Sequence, residues 1–213
     1  MEKPLYIQAS CVINKHTIYK NKKQLFCDNS QTDANGFLTN AYRFFNINYP
    51  RFYKMDSLCK LGWLCTELLV TSNDKENEQR LLQNLPAESI AVLLCNANSS
   101  LDTDYKYYDT VAQMASPALF VYTLPNIVMG EMCIRNGWKG ENMFFILENF
   151  DATFLQRQVE YLMKDNQNEA CICGWVELLG NEYKAALFAV QRSSEGQNLI
   201  FTSENISSNF ELT

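Results

Sequence analysis

The residues best placed to do chemistry lie between an apolar run and an amphipathic stretch in the second half of the chain. Residues 143–147 predict a strand, residues 151–165 predict a helix, and Glu148 and Asn149 occupy the turn between them. A strand, a sharp turn and a helix form the layout with which α/β enzymes hold a nucleophile at the mouth of a helix. This turn offers no Cys, Ser or Thr before Thr153, so no such nucleophile is predicted there.

Groups for acid–base chemistry are equally sparse. His16 is the single histidine, which excludes any mechanism that needs two imidazoles from this chain. Glu148 could act as a base, but a carboxylate beside a helix N-terminus more often makes a favourable interaction with the helix dipole. The side chain of Asn149 is best interpreted as a helix N-cap that accepts the backbone N–H of Asp151 or Ala152.

Composition narrows the class of protein further. The chain has 213 residues, of which 47% are hydrophobic and 20% are charged, as in ordinary globular domains. A net charge of −6 with scattered basic residues argues against nucleic acid as a partner. No apolar run approaches the roughly 18 residues that cross a membrane, and no signal peptide is recognisable at the N-terminus. We therefore expect a cytoplasmic protein that contacts neither nucleic acid nor membrane.

The eight cysteines predict buried thiols rather than disulfides. Most of them lie in apolar runs, and the chain is too long for a small disulfide-stapled scaffold. Zinc sites commonly use a CxxC pair, which is absent; Cys171 and Cys173 would instead place two sulfur atoms on one face of a strand. We expect free thiols in a reducing compartment, with no metal and no cofactor.

Hydrophobic periodicity and turn residues predict the elements that must position the turn. Strands are expected at 5–13, 90–95, 143–147, 169–177 and 184–190, and helices at 57–70, 75–85, 102–114 and 151–165, with one more between Thr123 and Gly137. Asp56 is the expected N-cap of the helix at 57–70. Elsewhere a loop or hairpin is expected at 14–36, an extended segment at 37–53, and a polar tail at 191–213 with a short strand at 199–202.

This order of elements predicts one α/β domain that spans residues 1–213. Its five-stranded sheet should be mixed, mostly parallel, and covered by helices. The helix at 151–165 should present one apolar face, formed by Ala152, Leu155, Val159, Leu162 and Met163. Its opposite stripe is Thr153, Arg157, Glu160 and Lys164, with Glu160 spaced to pair with Lys164. Such a stripe predicts a helix exposed to solvent or to a polar partner surface.

Three stretches resemble the N-terminal half of β-ketoacyl synthases, the condensing enzymes of the thiolase fold. They are MDSLCKLGWLCTELLV at 55–70, SPALFVYTLPNIVMGEM at 116–132 and NGWKGEN at 136–142. The resemblance covers about 55–190 and implies a thiolase-like half-domain. Family members carry a Thr-Ala-Cys turn and, one helix later, a Gly-Gly-x-Glu strand end. Counting from Gly140 and back from Gly174 and Glu177 places the family's cysteine at Asn149.

Several departures imply that the chain is not an enzyme. Asn149 and Glu148 stand in the nucleophile turn, and Trp175 replaces a glycine of the Gly-Gly-x-Glu stretch. An amide nitrogen is a poor nucleophile and cannot form the acyl thioester of a condensing enzyme. The C-terminal half that brings two catalytic histidines has no counterpart here. The sequence is most similar to the short chain-length-factor-like family that accompanies ketosynthases in aryl-polyene and related pigment pathways.

The resemblance implies a non-catalytic subunit that shapes the acyl tunnel of a β-ketoacyl synthase. The expected partner is that synthase in a heterodimer, or a second copy in a homodimer, with acyl carrier protein as a further candidate. Candidates for the tunnel lining are Phe120, Thr123, Asn126 and Met129, of which Phe120 and Met129 could equally be core residues. The family's dimers join through an edge strand, here Met143, Phe144, Phe145, Ile146 and Leu147. This strand has no charge, Pro or Gly, so a partner, a loop or the tail should cover it.

Two other functions stay open on the sequence alone. The chain could be a stand-alone module that binds an acyl group or a carrier protein. It could also be a thioesterase or decarboxylase that uses Glu148 and Asn149. Co-purification with a ketosynthase separates the subunit from the stand-alone module, and hydrolysis of an acyl-carrier substrate would favour the enzyme.

Overall fold

The computed structural model describes residues 4–30, 33–72, 79–164, 167–193 and 199–212. Across these residues eight strands form one sheet. They are β1 Tyr6–Asn14, β2 Thr17–Lys20, β3 Lys23–Cys27, β4 Ile90–Asn96, β5 Asn142–Ile146, β6 Ala170–Leu179, β7 Glu182–Gln191 and β8 Leu199–Ile200. The helices are α1 Ala34–Phe44, α2 Ser57–Val70, α3 Leu101–Val111, α4 Pro117–Phe120, α5 Ile127–Asn136, α6 Ala152–Leu162 and α7 Ser203–Phe210.

The sheet is mixed, in the order β3-β2-β1-β7-β6-β4-β5, with β8 beside β1. Strand β4 lies between β5 and β6 and runs parallel to both. The other pairings are antiparallel. The predicted α/β class with a helix-covered mixed sheet is confirmed, and all five predicted strands are present. The sheet has more strands than the expected five, because the polar hairpin β2–β3 and the short β8 join it. The expected parallel majority is wrong, because β7 also runs antiparallel to both β1 and β6.

Helices cover the sheet on both faces. On one face, α1, α2 and α5 pack over a core that includes Val92 and Leu94 of β4. On the other face, α6 and α7 pack over a second core that includes Ala91 and Leu93. All seven residues of β4 are buried, as predicted for a strand covered on both sides.

Residues 37–53 are helical rather than extended over most of their length. Helix α1 begins after Asp33, whose Oδ1 accepts the N–H of Gly36 at 2.8 Å. A 3₁₀ turn follows at Pro50–Lys54. Asn35-Gly36 suggested a loop, but these two residues lie in the first turn of the helix. The buried positions recur at helical spacing and are Phe37, Leu38, Ala41 and Tyr42.

The bounds of three predicted helices can be compared with the structure. Asp56 caps α2 as predicted, its Oδ1 accepting the N–H of Cys59 at 2.9 Å. The helix expected between Thr123 and Gly137 is α5, which begins only after Asn126 and ends at Gly137, where the backbone is left-handed as is common at C′. The helix predicted at 75–85 falls partly on residues 75–78, which lie outside the described ranges, and the described remainder is a turn.

The cysteines lie mainly in the two cores. All eight are free thiols, and six are buried, whereas Cys27 is exposed and Cys133 is half-buried. Burial raises the pKa of the Cys59, Cys65 and Cys173 thiols well above the ordinary value. Among the described residues, no group of three His, Cys, Asp or Glu side chains could hold a metal ion.

No single helix of the described chain is long and apolar enough to cross a bilayer. The segments Pro117–Thr123 and Ile127–Asn136 are together long and apolar enough, but their axes are bent by 96° from each other. Val128, Met129 and Met132 of the second segment are buried in the core beneath α2.

A buried carboxylate joins α2 to α5. Glu67 is 5% exposed and accepts two hydrogen bonds from Arg135, at 2.7 and 3.0 Å, and two from Arg80, both at 2.9 Å. Burial alone would raise the pKa of the Glu67 carboxyl, but the hydrogen bonds from Arg135 and Arg80 lower its pKa overall. The ion cluster therefore depends on an ionised Glu67.

We predict that Glu67→Gln lowers the free energy of unfolding at pH 7 by about 2 kcal/mol, since hydrogen bonds to a charged group are lost. Because the pKa of Glu67 is depressed in the folded state, its contribution is complete above the unfolded pKa of about 4.3 and disappears as pH falls through the folded value. Urea denaturation at pH 7 and pH 3 should show the difference between wild type and variant shrinking at pH 3. The exposed Glu182→Gln is the control, and an equal difference at both pH values would contradict this account.

Candidate functional site

The carboxyl ends of β4, β5 and β6 meet at one edge of the sheet. Because these three strands are parallel, the turns at 97–100 and 147–151 and the side chain of Glu177 lie side by side. Ligand sites of open α/β sheets form at this kind of edge. This edge includes the turn that the sequence singles out, and it is the candidate site.

Glu177 fixes the turn after β4. Its Oε2 accepts the N–H of Ala97 at 2.6 Å and of Asn98 at 3.1 Å, and its Oε1 accepts Nδ2 of Asn98 at 3.1 Å. Asn96 closes the same turn, since its Oδ1 accepts the N–H of Ser99 at 3.0 Å. Oε2 of Glu177 thus holds two backbone N–H groups and Oε1 holds the Asn98 side chain, which gives this residue a structural role.

The turn after β5 places Glu148 and Asn149 at the surface. The N–H of Leu147 donates to the carbonyl of Asn96 at 2.9 Å, which ties the two turns together. Helix α6 is capped by Asp151, whose Oδ1 accepts the N–H of Phe154 at 2.9 Å. The predicted N-cap role of Asn149 is therefore wrong, because the turn runs two residues further before the helix begins. The side chains of Glu148 and Asn149 are both exposed.

An open cleft of about 720 Å³ lies at this turn. Its walls are residues 147–154 on one side and the start of α7 on the other, with Ser203, Glu204 and Ser207. Helix α7 was not predicted. The available signals were Thr202, whose Oγ1 accepts the N–H of Asn205 at 3.3 Å, and the helical spacing of Ile206 and Phe210.

Aromatic packing joins the turn to the tail. The rings of Phe150 and Phe210 stack with centroids 3.8 Å apart and planes 8° from parallel. Phe150 also meets Trp175 edge-on at 5.9 Å, and Lys184 Nζ lies 4.1 Å from the Phe210 ring centre. Nearby, Ser10 Oγ donates to Oδ1 of the fully buried Asn209 at 2.9 Å. The tail thereby fixes the position of the turn.

The two positions of the Gly-Gly-x-Glu resemblance behave differently in β6. Gly174 has φ of +149°, and a Cβ there would lie 2.0 Å from the carbonyl oxygen of Ala186. Only glycine fits this close approach. Trp175 is 5% exposed and packs into the core beneath α6 and α7. The large side chain fills space on the same face of the sheet as Phe150.

The structure separates the four tunnel candidates. Phe120 is 58% exposed, Asn126 is exposed, and Thr123 is half-buried. Thr123 Oγ1 donates to the Phe120 carbonyl at 2.7 Å, while its own carbonyl accepts Ser100 Oγ at 2.7 Å, which ties this segment to the turn after β4. Met129 is 3% exposed and lies in the core beneath α2. The lining of an acyl tunnel by these four residues stays a prediction.

An apolar surface extends from α3 to the segment after α4. We call it the α3–α4 surface; each member is at least half exposed, and the members are Tyr105, Tyr108, Val111, Met114, Phe120, Val121 and Leu124. Phe120 joins the two parts through the ring of Tyr107, at 5.5 Å. Clusters of exposed apolar side chains are typical of interaction sites.

Strand β5 ends the sheet on this side. Within the described chain it pairs with β4 alone, and the exposed fraction of Ile146 is 52%. Its outer edge has no charge, whereas the opposite edge strand, β3, begins with Lys23 after Lys22. Lysines and bulges commonly protect sheet edges from pairing, and β2–β3 also has a register shift between Ile18 and Tyr19. The predicted edge position of residues 143–147 agrees with the sheet order, and pairing there stays a prediction.

The face of α6 is arranged as its sequence predicts. Its apolar residues Ala152, Leu155, Val159, Leu162 and Met163 are all buried against the sheet. The polar stripe of Thr153, Arg157, Glu160 and Lys164 is exposed. Glu160 accepts a hydrogen bond from Gln156 Nε2 at 2.7 Å, one turn earlier on the helix.

Comparison with solved structures identifies the fold. The ishigamide ketosynthase/chain length factor matches with a TM-score of 0.64 and 14% identity, over 91% of this chain and 63% of that chain. A structure of the ketosynthase ApeO in complex with its chain length factor ApeC from Xenorhabdus doucetiae matches with a TM-score of 0.53 and 12% identity, over 90% and 80% of the two chains. The AntDE:AntF complex of a type II polyketide synthase acyl-carrier protein with its ketosynthase gives 0.57 and 10%, over 90% and 64%.

The chain therefore has the thiolase-like fold of ketosynthases and chain length factors, as the sequence resemblance implies. It spans 63% of the length of the first of these chains. Identities this low establish the fold alone. The sequence matches no protein-family model and no curated protein.

We predict that Glu177→Ala loosens the turn after β4, because two backbone N–H groups lose a charged acceptor. The free energy of unfolding should fall by about 2 kcal/mol. Hydrogen exchange followed by NMR should show faster exchange of the Ala97 and Asn98 amides. Glu182→Ala, at an exposed position in the same sheet, is the control. Unchanged exchange at both amides would refute the assigned role of Glu177.

Proposed function

We propose that this chain is a ketosynthase-like subunit of the chain-length-factor type, without condensing activity of its own. In this proposal it pairs with a catalytic β-ketoacyl synthase and shapes the acyl tunnel of that partner during fatty-acid or polyketide-type polyene synthesis in the cytoplasm. Support comes from the fold, since one similar structure is a ketosynthase in complex with its chain length factor. Contact with an acyl carrier protein is part of the proposal at the level of the complex.

The observation that carries the proposal is the asparagine at the turn between β5 and α6. A condensing enzyme holds the acyl chain as a thioester on cysteine and stabilises an enolate with imidazoles. Asn149 has no nucleophilic atom suited to that step. The ring of His16 packs against Phe37 and Tyr183, with centroids 5.8 and 6.5 Å away, and it is not among the residues that line the cleft.

We predict that neither wild type nor Asn149→Cys extends an acyl chain from malonyl carrier protein as a single purified chain. The variant restores a thiol at the turn, but the enolate-stabilising imidazoles are still absent. Mass spectrometry of carrier-bound products gives the measurement, with an active ketosynthase as positive control. Extension by either form of this chain would refute the proposal.

The backbone of β5 suggests how a partner docks. The N–H of Leu147 and the carbonyl of Glu141 bond to β4, and strand residues alternate, so Phe145 also directs its N–H to β4. Asn142, Phe144 and Ile146 therefore direct their N–H and carbonyl groups outward. An antiparallel strand from a partner could pair with these three residues without disturbing the sheet.

We predict that Ile146→Pro abolishes pairing with a ketosynthase, because proline removes an outward N–H and a proline ring obstructs the edge. Ile146→Thr, which keeps that N–H, is the matched control and should still pair. Co-expression followed by affinity purification and light scattering measures the complex, and thermal unfolding confirms that both variants fold. The docking role of β5 would be contradicted if the wild-type chain did not bind its cognate ketosynthase, or if the Ile146→Pro variant still bound it.

We predict that Phe120→Ala changes the length distribution of the products made by the complex. Phe120 is a large exposed side chain on the α3–α4 surface, so its truncation should open space at an adjoining partner pocket while costing this chain little stability. Liquid chromatography with mass spectrometry of the products provides the test. Tyr161→Ala, at a 71% exposed position on α6, is the control. If the complex assembles and its products are unchanged, Phe120 does not line the tunnel.

A further inference from the structure

The amino end of β5 is acidic. Glu141 directly precedes the strand, and its carbonyl accepts the N–H of Val92 at 2.8 Å, while its Oε1 lies 3.4 Å from Nδ2 of Asn168. Glu88 and Glu169 are exposed at the same edge of the sheet. Lys139 also lies at this edge, and its Nζ is 3.9 Å from Glu88. Glu141 itself has no cation partner among the ion pairs of the described residues.

The carboxyl end of β5 is acidic as well. Glu148, Asp151 and Glu204 are exposed around the cleft that begins where the strand stops. Among the described residues that line this cleft there is no Lys or Arg. Asp151 is engaged as the cap of α6, and the charge of its carboxylate still adds to the local field.

Antiparallel pairing brings opposite ends of two strands together. If a second copy paired its three outward residues with those of the first, Phe144 would lie opposite Phe144, and Asn142 opposite Ile146. Glu141 would then lie within about 10 Å of Glu148 of the other copy, at both ends of the ladder. The acidic amino end would meet the acidic carboxyl end twice, and like charges at such positions disfavour pairing.

We propose that the acidic ends of β5 select an edge strand of a different chain, one flanked by Lys or Arg, over a second copy of this chain. This inference rests on the proposed function, in which β5 is the docking edge. A cationic partner turns both repulsive ends into attractive ones. Glu141 and Glu148 are the two carboxylates nearest to β5 along the chain, so they are its selectivity-determining residues.

The size of the effect follows from Coulomb's law in water. Two like charges about 8 Å apart weaken association roughly twofold at low salt. Two such pairs are present in a homodimer, and reversing the charges in one chain converts both into attractions. Wild type should therefore bind a Glu141→Lys/Glu148→Lys chain roughly tenfold more tightly than it binds itself. At 1 M salt, where charges are screened beyond about 3 Å, this preference should vanish.

Sedimentation velocity of wild type, the double variant and their equimolar mixture, each at 20 mM and 1 M salt, tests the proposal. Glu160→Lys/Glu182→Lys has the same net charge as the double variant but is substituted away from β5, and its mixture with wild type should show no such gain. Placing Ile146→Pro in both chains of the mixture should abolish the complex.

Two results would overturn the inference. One is a wild-type homodimer that forms through β5 as tightly as the complex of wild type with the Glu141→Lys/Glu148→Lys chain. In that case β5 is still a docking edge, but its acidic ends do not select the partner. The other is no association through β5 in any mixture. The ketosynthase purification with Ile146→Pro and Ile146→Thr then decides the proposed function independently.

Discussion

Strand β4 is buried along its whole length on both faces, and most of the architecture follows from covering it. A strand with no polar face needs a layer of helices on each side. Helices α2 and α5 supply one layer, and the buried Glu67 links them through Arg135. The second layer is α6 with α7, so the tail is part of the core, with Ile206 fully buried. The tail thereby also fixes the turn after β5.

The two edge strands of the sheet, β3 and β5, differ in how they would meet a further strand. Edge strand β3 has lysines and an irregular register, which oppose further pairing. Edge strand β5 has an uncharged outer edge with three outward-facing residues and a half-exposed Ile146. Without a partner strand, the outward N–H and carbonyl groups of β5 can form hydrogen bonds only with water. The asymmetry favours one docking edge, at β5, close to the candidate site.

The elements with strong apolar periodicity could be predicted from the sequence, and those defined by long-range packing could not. Helix α2 was predicted with its Asp56 cap because its pattern is local. Helix α1 was missed because Asn35-Gly36, a turn signal, lies inside its first turn. The sequence places Asn149 correctly in the turn before α6, but the N-cap of that helix is Asp151. Asn and Asp are both good N-caps, and with two of them two residues apart the sequence does not decide between them. Helix α7 is polar in sequence, and its docking depends on Phe150, which is 60 residues from Phe210.

One residue that departs from the family resemblance, Trp175, links the candidate site to the tail by packing. Gly174 is retained where backbone approaches backbone, so the strand geometry is preserved. The next position carries Trp175, whose ring meets Phe150, and Phe150 in turn stacks on Phe210. These contacts run from the sheet through the turn to the tail and fill space with aromatic rings. A turn held this way keeps its shape without a reactive side chain. In the proposed function, this shape is what the subunit contributes to the partner's tunnel.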